Sequence, residues 1–246
     1  MSLANELRKI ANRLDVPGAA AAYRHHVPLD LYRSFERLKS RTAFRTILDV
    51  GANRGEFSRY ALACFPDAAI HAFEPLPGCQ EALRRLAQTQ PRVQAHSVAL
   101  GETSGTVEMF ENDYAPSSSL LPMLDRHREL WPKTSRDHKI SVPVVTLDGI
   151  AFHQPFAPAI FLKLDVQGYE LHVLKGALQV LQNTSAVLME VLFEPLYDGQ
   201  PDFRELLNFM AEQGFRFLEF ADERRLPPSG KLIYADALFA KVDLIQ

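Results

Sequence analysis

The chain has 246 residues, of which 47% are hydrophobic and 23% charged, so it can bury a large core and is not disordered as a whole. Its formal net charge of −3 gives no overall attraction to nucleic acids or to anionic membranes, and two cysteines are too few for a disulfide framework or a cysteine-based zinc site. No apolar run approaches the roughly 20 residues of a membrane span, and the N-terminal residues do not read as a signal peptide. We therefore expect a cytoplasmic protein built on one α/β domain.

Residues 1–43 are predicted to form a helical extension. Leucines at helical spacing predict a helix over 3–14, and a second helix is predicted from Pro28 to about Ser40. Short apolar runs that alternate with helices begin after these, so we place the main domain at 44–246. The chemistry of the extension and the oligomeric state are left open, with a homodimer through the N-terminal helices as one option.

Short apolar runs predict the strands of one sheet. The first five are separated by helical segments and should be parallel strands joined by crossovers, whereas the last two are separated by a Pro-Pro-Ser-Gly loop and should pair antiparallel. A mostly parallel, seven-stranded Rossmann-like sheet with an antiparallel last strand is typical of methyltransferases that use S-adenosylmethionine. The segment 111–139 is predicted to be a loop and a candidate lid. The predicted strands are 46–50, 69–73, 93–98, 159–164, 186–191, 215–220 and 236–242, and one helix is predicted over 171–181.

A glycine-containing turn follows the first predicted strand, with Asp49, Gly51, Asn53 and Gly55. Glycines let the backbone approach a ligand closely, and the N-terminus of the next helix favours an anionic group. The G-x-x-x-G spacing matches neither the dinucleotide fingerprint nor the phosphate loop. It suits a smaller anion, such as the carboxylate of a methionine moiety whose ammonium group Asp49 would bind. A tight turn without a ligand is the alternative interpretation.

Three further carboxylates stand at informative places. Glu74 ends the second predicted strand, where an acid accepts hydrogen bonds from ribose hydroxyls; an ordinary exposed acid is the alternative. Asp165 ends the fourth strand and is expected in the crevice above the sheet, unless it caps the following helix or pairs with Lys163. Glu190 interrupts an apolar run, which is costly unless the carboxylate is paired or lies at the open end of the strand.

In this order along the chain, the motifs resemble the FkbM family of S-adenosylmethionine-dependent methyltransferases. The similarity runs from about residue 46 to residue 241. At position 167 the family usually has Glu, whereas this chain has Gln. The segments that carry the resemblance are ILDVGANRG (47–55), AFEP (72–75), VALG (98–101), SSL (118–120), VTLD (145–148), LKLDVQGYE (162–170), LKGA (174–177) and MEV (189–191).

The resemblance implies a class I methyltransferase domain that binds S-adenosyl-L-methionine and methylates oxygen on a small molecule, such as a natural product, or on a cell-surface glycan. It implies that Asp165 faces the methyl group and the acceptor, which makes Asp165 a predicted cofactor-binding residue as well as a catalytic one. The cofactor-binding residues that it implies are Asp49, Gly51, Asn53 and Gly55 at the methionine end, Glu74 and Pro75 at the ribose, and Ala99 and Leu100 near the adenine.

An alcohol is a poor nucleophile at neutral pH, so a base near the acceptor hydroxyl is expected. Asp165 is the first candidate, and Glu190 or a histidine of the 111–139 segment, His127 or His138, is the second. Trp131 in the same segment is a candidate platform for a sugar ring. No metal site is predicted, because no ligand spacing accompanies the histidines.

Other functions are weaker predictions. A cofactor-binding protein without turnover would keep the same motifs. A nicotinamide-dependent oxidoreductase would need a dinucleotide fingerprint, which the sequence does not contain. A nucleic-acid partner is not expected, since the chain shows neither a basic stripe nor the Asn/Asp-Pro-Pro-Tyr type of motif.

Overall fold

A computed structural model describes residues 19–25 and 27–245. Two helices precede the sheet, α1 (Ala19–His25) and α2 (Leu29–Lys39). The second confirms the helix predicted from Pro28, and it buries an apolar face centred on Phe35. The helix predicted over 3–14 lies outside the described residues.

The rest of the described chain forms two sheets and their helices. The described chain also has turns of 3-10 helix at Ala115–Ser117 and Pro132–Thr134. In chain order the elements are β1 (Thr46–Val50), α3 (Glu56–Cys64), β2 (Ala69–Phe73), α4 (Pro77–Thr89), β3 (Val93–His96), β4 (Ala99–Leu100), β5 (Gly105–Asn112), α5 (Asp125–Leu130), β6 (Asp137–Val145), α6 (Leu147–His153), β7 (Ile160–Leu164), α7 (Glu170–Lys175), α8 (Leu178–Gln182), β8 (Thr184–Leu192), α9 (Phe203–Glu212), β9 (Phe215–Leu226), β10 (Lys231–Lys241) and α10 (Val242–Ile245).

The main sheet has seven strands in the order β3-β2-β1-β7-β8-β10-β9. The first five in this order are parallel, and β10 runs antiparallel to both of its neighbours. Every residue of β1 and of β7 is buried, because apolar side chains pack on both faces of the sheet. The predicted Rossmann-like methyltransferase fold with its reversed strand is confirmed.

Strand lengths differ from the predictions at the chain's end. The strand β9 extends to Leu226, and the strand β10 starts at Lys231. The two strands therefore form a longer hairpin than the apolar runs indicated. The outer part of β9 reads Ala-Asp-Glu-Arg-Arg-Leu and is largely exposed, which hides it from a search for apolar runs. The strand β3 stops at His96 instead of residue 98.

The prediction of a loop over 111–139 was wrong at both ends. The strands β5 and β6 pair antiparallel over eight residue pairs, from Gly105 with Val144 to Asn112 with Asp137, and with β4 they form a second, three-stranded sheet. Most of their side chains are only partly buried or exposed, so their apolar pattern is weak. Only the segment 113–136 is irregular, apart from its short helices.

The single helix predicted over 171–181 is two helices, α7 and α8. The break falls at Gly176, where a Cβ atom would lie 2.0 Å from the carbonyl oxygen of Gly101. This close packing against the loop after β4 interrupts the helix, and the spacing of the leucines does not reveal it.

The strand order places the candidate site. The chain leaves β1 toward β2 on one side, and β7 lies on the other side of β1, so the sheet has a switch point between β1 and β7. Ligands of open α/β sheets bind at such a point, beyond the carboxyl ends of the strands. Among the described residues, no helix has the length and hydropathy to cross a membrane.

Candidate active site

The turn between β1 and α3 lies directly against the segment that follows β7. Gly51 has φ +73°, and a Cβ atom there would lie 1.8 Å from the carbonyl oxygen of Asp165. Gly55, with φ +81°, sits at the N-terminal cap of α3. The glycine at position 51 therefore permits a contact between two backbones that any side chain would prevent.

Glu74 is held at the end of β2 by two backbone donors. The amide of Asn53 donates to Oε2 at 2.8 Å, and the amide of Leu76 donates to Oε1 at 2.9 Å. Burial raises the pKa of Glu74 to about 7, although these two hydrogen bonds and nearby Lys163 favour its ionised form. Each carboxylate oxygen keeps lone-pair capacity for one more donor.

Lys163 joins the ends of β1 and β7. Its Nζ donates to the carbonyl oxygen of Gly51 at 3.1 Å, and it lies 3.4 Å from Asp49 Oδ1 and 3.5 Å from Asp165 Oδ2. Burial opposes the charge of Lys163, but the carboxylates of Asp165, Asp49 and Asp236 outweigh it and raise its pKa. The predicted pairing of Asp165 with Lys163 is therefore present, and it leaves Asp165 at the crevice.

Asp49 lies behind the turn. It is fully buried, its Oδ2 accepts a hydrogen bond from the Ser58 hydroxyl at 2.6 Å, and its Oδ1 accepts none from the described residues. The ion pair with Lys163 is its other polar contact. Asp49 is thus a buried countercharge with unused hydrogen-bonding capacity.

A cavity of about 480 Å³ opens at this edge of the sheet. Pro28 and Leu31 at the start of α2 form part of its wall, beside the turn after β1. Asp49 and Gly55, both predicted cofactor residues, lie outside its lining. The predicted cofactor residues that line this first cavity are Gly51, Asn53, Glu74, Pro75, Ala99, Leu100 and Asp165.

A second cavity, of about 410 Å³, adjoins the first. The two share Pro116, Asp165 and Gln167 in their linings, so they meet at the end of β7. The segment 113–136, which is the irregular part of the candidate lid predicted over 111–139, supplies much of the wall. The other lining residues are Tyr114, Ser117, His127, Trp131, Lys133, Thr134, Glu190, Leu192, Leu196, Arg224 and Tyr234.

Gln167 connects the two candidate catalytic acids. Its Nε2 donates to Asp165 Oδ1 at 2.9 Å and to Glu190 Oε2 at 2.7 Å, while its Oε1 accepts from the Tyr197 hydroxyl at 2.8 Å. Its backbone is in the left-handed region, with φ +55°. The departure from the family's Glu was the only sequence signal for Gln167, and Tyr197, on the loop after β8, gave none.

A second acid faces Glu190 from the neighbouring strand. Asp236 on β10 is the residue paired with Glu190 on β8. Burial, followed by the charge of Asp165, raises the pKa of Glu190 well above its ordinary range and that of Asp236 to about 7. Sequence reasoning missed Asp236, which stands at the start of the predicted strand 236–242 and, unlike Glu190, does not interrupt an apolar run.

The two candidate histidines lie in different parts of the structure. His127 is buried beside the second cavity, with Nδ1 3.0 Å from the Thr134 hydroxyl and Nε2 3.3 Å from the Tyr197 hydroxyl, and burial lowers its pKa to about 4. His138 lies on β6, pairs with Glu111 at 3.1 Å and lines neither cavity. The ring of Trp131 stacks at a tilt on His127, with 4.8 Å between centroids, and lines the second cavity.

Comparisons with known proteins agree with this architecture. The chain is 26% identical over 181 residues to Methyltransferase 1 of Beauveria bassiana, covering 69% of this chain and 71% of that protein. It is 26% identical over 175 residues to the 2-O-methyltransferase NoeI of Sinorhizobium fredii, covering 67% and 70%. It is 25% identical over 147 residues to the hexuronic acid methyltransferase AglP of Haloferax volcanii, covering 58% and 54%.

The family match covers the greater part of the chain and the whole switch point. Residues 49–217 match the methyltransferase FkbM domain, a span that begins at the end of β1 and includes the carboxylates that follow β2 and β7. Together with the reversed strand β10, this match settles the family. The chain belongs to the FkbM methyltransferases and uses S-adenosylmethionine as its methyl donor.

Proposed function

We propose that this methyltransferase acts on a hydroxyl group of a sugar, in a glycan or a natural product. The observation that supports it most directly is the meeting of the two cavities at Asp165, since a methyl donor in one and an acceptor in the other would then lie on either side of one carboxylate. Two relatives are named as a 2-O-methyltransferase and a hexuronic acid methyltransferase, which favours oxygen and sugar as the acceptor.

In this proposal the first cavity holds the methyl donor. S-adenosylmethionine supplies a methyl group already activated on a sulfonium. The turn at Gly51 and Asn53 admits the methionine end, and Glu74, fixed by two backbone amides, accepts hydrogen bonds from the ribose hydroxyls. Ala99 and Leu100 supply an apolar surface for the adenine. Asp49 and Gly55 lie outside the cavity lining and support the turn, Asp49 through its ion pair with Lys163 and Gly55 as the N-terminal cap of α3.

The residues present fit such a ligand. The cavity has the volume of an ordinary small-molecule site. The turn is kept free of side-chain bulk at position 51, where a Cβ atom would collide with the neighbouring backbone. A buried carboxylate with free lone pairs stands at the end of β2, where a ribose is expected.

Asp165 is the proposed base. It keeps 42% of its side chain exposed at the junction of the cavities, and Gln167 and Lys163 hold its two oxygens in place. Methyl transfer would form the bond from the acceptor oxygen to the methyl carbon and break the sulfur–carbon bond of the donor, leaving S-adenosylhomocysteine, and Asp165 would take the hydroxyl proton and later release it to water. Burial, followed by the charge of Asp165, raises the pKa of Glu190 well above its ordinary range and so favours its neutral form, and we assign it the role of a hydrogen-bonding neighbour instead of a base. Positioning of the acceptor supplies the larger share of the rate.

A pair of isosteric variants tests this assignment. Asp165→Asn is expected to bind S-adenosylhomocysteine with unchanged affinity in isothermal titration and to lose roughly 100-fold in methyl transfer. Glu190→Gln, which mimics the neutral carboxyl, is the matched control and should lose much less. Turnover is followed by mass spectrometry as S-adenosylhomocysteine formation, with methyl glycosides and cell-surface glycan fragments as acceptors.

Two results would count against the proposal in different ways. A wild-type chain that does not bind S-adenosylhomocysteine would remove the assignment of the first cavity. Normal turnover by Asp165→Asn would show that another group takes the proton.

A further inference from the structure

The second cavity contains a cation that has no anionic partner among the described residues. Arg224 on β9 lines the cavity, and no hydrogen bond or ion pair joins its guanidinium to another residue in the described part of the chain. Arg224 pairs with Tyr234 across β9 and β10, and its positive charge lies near the Tyr234 phenol. Neighbouring Arg225 is different, since its Nε bonds to Glu223 at 2.8 Å and another nitrogen donates to the carbonyl oxygen of Gly230 at 3.0 Å.

A second cation lies in the same wall. The ammonium of Lys133 sits 3.5 Å from the ring centroid of Tyr114, and the two line the cavity together. A cation–π contact fixes the position of a lysine without neutralising it. The wall therefore presents two positive charges that pair with no carboxylate in the part of the chain that the structure describes.

Neither acid that lines the second cavity, Asp165 or Glu190, bonds to Arg224. Asp165 is paired with Lys163 and Gln167, and Glu190 with Gln167. The strand β10 separates Arg224 on β9 from Glu190 on β8. The strands β9 and β8 are therefore two strand spacings, or roughly 10 Å, apart across the sheet. One small acceptor can span this distance.

An unpaired guanidinium in a binding cavity has a defined chemical preference. Its planar fork of donors matches the oxygens of a carboxylate, sulfate or phosphate, and such charge-assisted hydrogen bonds are about twice as strong as neutral ones. A neutral sugar would offer Arg224 and Lys133 only hydroxyl groups. The aromatic rings of Trp131 and Tyr234, with centroids 6.2 Å apart, provide the apolar surface that a sugar face packs on.

We propose that the acceptor carries an anionic oxygen group, bound by Arg224 and Lys133 in the second cavity while its reacting hydroxyl lies at Asp165. This inference rests on the proposed function and narrows it to acidic acceptors. A sugar carboxylate, a sulfate ester and a phosphate ester share the required chemistry, and the experiment separates them.

The test compares matched sugar probes on the protein saturated with S-adenosylhomocysteine. Methyl β-D-glucuronide and methyl β-D-glucoside differ at one carbon, and glucose 6-sulfate and glucose 6-phosphate represent the other two anions. Dissociation constants come from saturation-transfer NMR titrations. We expect at least one anionic probe to bind roughly tenfold more tightly than the glucoside.

Two arginine variants separate a specific site from general surface charge. Arg224→Gln should reduce the preference for the anionic probe to about twofold or less, whereas Arg225→Gln, one residue away but already paired, should keep it. Both variants should bind S-adenosylhomocysteine as the wild type does, which shows that they are folded.

The outcomes are distinct. A wild type that binds none of the anionic probes more tightly than the glucoside overturns the inference, as does a preference that survives in Arg224→Gln. The anionic probe that binds most tightly identifies the anionic group that the acceptor carries. A wild type that lacks the preference but binds S-adenosylhomocysteine and transfers methyl groups refutes this inference alone, whereas a wild type that does not bind S-adenosylhomocysteine refutes the proposed function.

Discussion

One glycine permits the contact on which the site depends. The backbone at Gly51 lies so close to the carbonyl oxygen of Asp165 that a single methyl group would overlap it. The turn after β1 and the segment after β7 can therefore meet, and their meeting puts Asp165 at the junction of both cavities.

Gly51→Ala is expected to destabilise the protein by about 2–5 kcal/mol, because it adds strain at positive φ to a collision with backbone. It should also weaken S-adenosylhomocysteine binding. Gly78→Ala in α4 is the control, since a Cβ atom there meets nothing within 4 Å. That variant should stay within about 1 kcal/mol of the wild type. Urea unfolding and isothermal titration measure both effects, and equal behaviour of the two variants would contradict the argument.

A single side chain also sets the geometry of the acids. Gln167 donates to Asp165 and Glu190 with one amide nitrogen, and its oxygen is held by Tyr197. A glutamate at this position, as the family usually has, could not donate both hydrogen bonds when ionised. This chain therefore holds its two acids together with a neutral bridge.

At the scale of elements, helix α2 belongs to the site as well as to the fold. Its start lines the first cavity through Pro28 and Leu31. Its anchor is Phe35, which is fully buried and packs edge-on against Phe161 of β7 with 5.7 Å between ring centroids. The position of the cavity wall thus depends on the aromatic packing of Phe35, whose ring also lies 6.0 Å from that of Phe57 and 5.1 Å from that of Phe65, measured between centroids.

Phe35→Ala is expected to lower the free energy of unfolding by about 3–5 kcal/mol and to weaken S-adenosylhomocysteine binding, because α2 loses its anchor. Phe152→Ala removes the same ring from a position that is 82% exposed, so it should change stability by less than about 0.5 kcal/mol. Thermal unfolding followed by titration compares the two. Unchanged affinity in a folded Phe35→Ala would show that α2 does not support the cavity.

The second sheet supports the second cavity, which is the proposed acceptor side of the site. The strands β5 and β6 flank the irregular segment 113–136, and that segment supplies much of the second cavity's wall. The wall is completed by β9 and β10 through Arg224 and Tyr234. Acceptor preference is therefore expected to depend on parts of the chain outside the cofactor turn.

At the scale of the whole molecule, buried titratable groups make stability depend on pH. Glu74, Glu170 and Asp236 each have a pKa raised to about 7, mainly by burial, so the folded chain holds protons that the unfolded chain has lost. These acids lower stability as pH rises toward 7. His71 and His127, whose burial lowers their pKa to about 4, act in the opposite direction between pH 4 and 6.5.

A variant isolates one of these contributions. Asp236→Asn is neutral at every pH, so its stability relative to the wild type should rise between about pH 4 and pH 7, by about 1–3 kcal/mol in total. Denaturant unfolding at pH 5 and pH 8 measures this difference. The control is Asp222→Asn, at the paired position on exposed β9, which should show no comparable trend. A difference for Asp236→Asn that stays constant with pH would contradict the burial argument.

The sequence by itself determined the seven strands of the main sheet and the residues proposed for the cofactor side of the site. Apolar runs, the glycine spacing at Gly51 and Gly55, and the acids at Glu74 and Asp165 are local patterns, and the resemblance to the FkbM family rests on the same segments. Local patterns suffice here because each of these residues sits at the end of a strand that its own neighbours define.

Only the tertiary structure decided which residues lie together on the proposed acceptor side of the site. Gln167 and Tyr197 meet across a separation of 30 residues, and Asp236 lies beside Glu190 because β10 inserts next to β8. Arg224 comes from an exposed strand whose charged sequence resembles any solvated surface. Burial, pairing and the absence of a partner decide what these side chains can do, and those properties arise from contacts between distant segments, which no local pattern encodes.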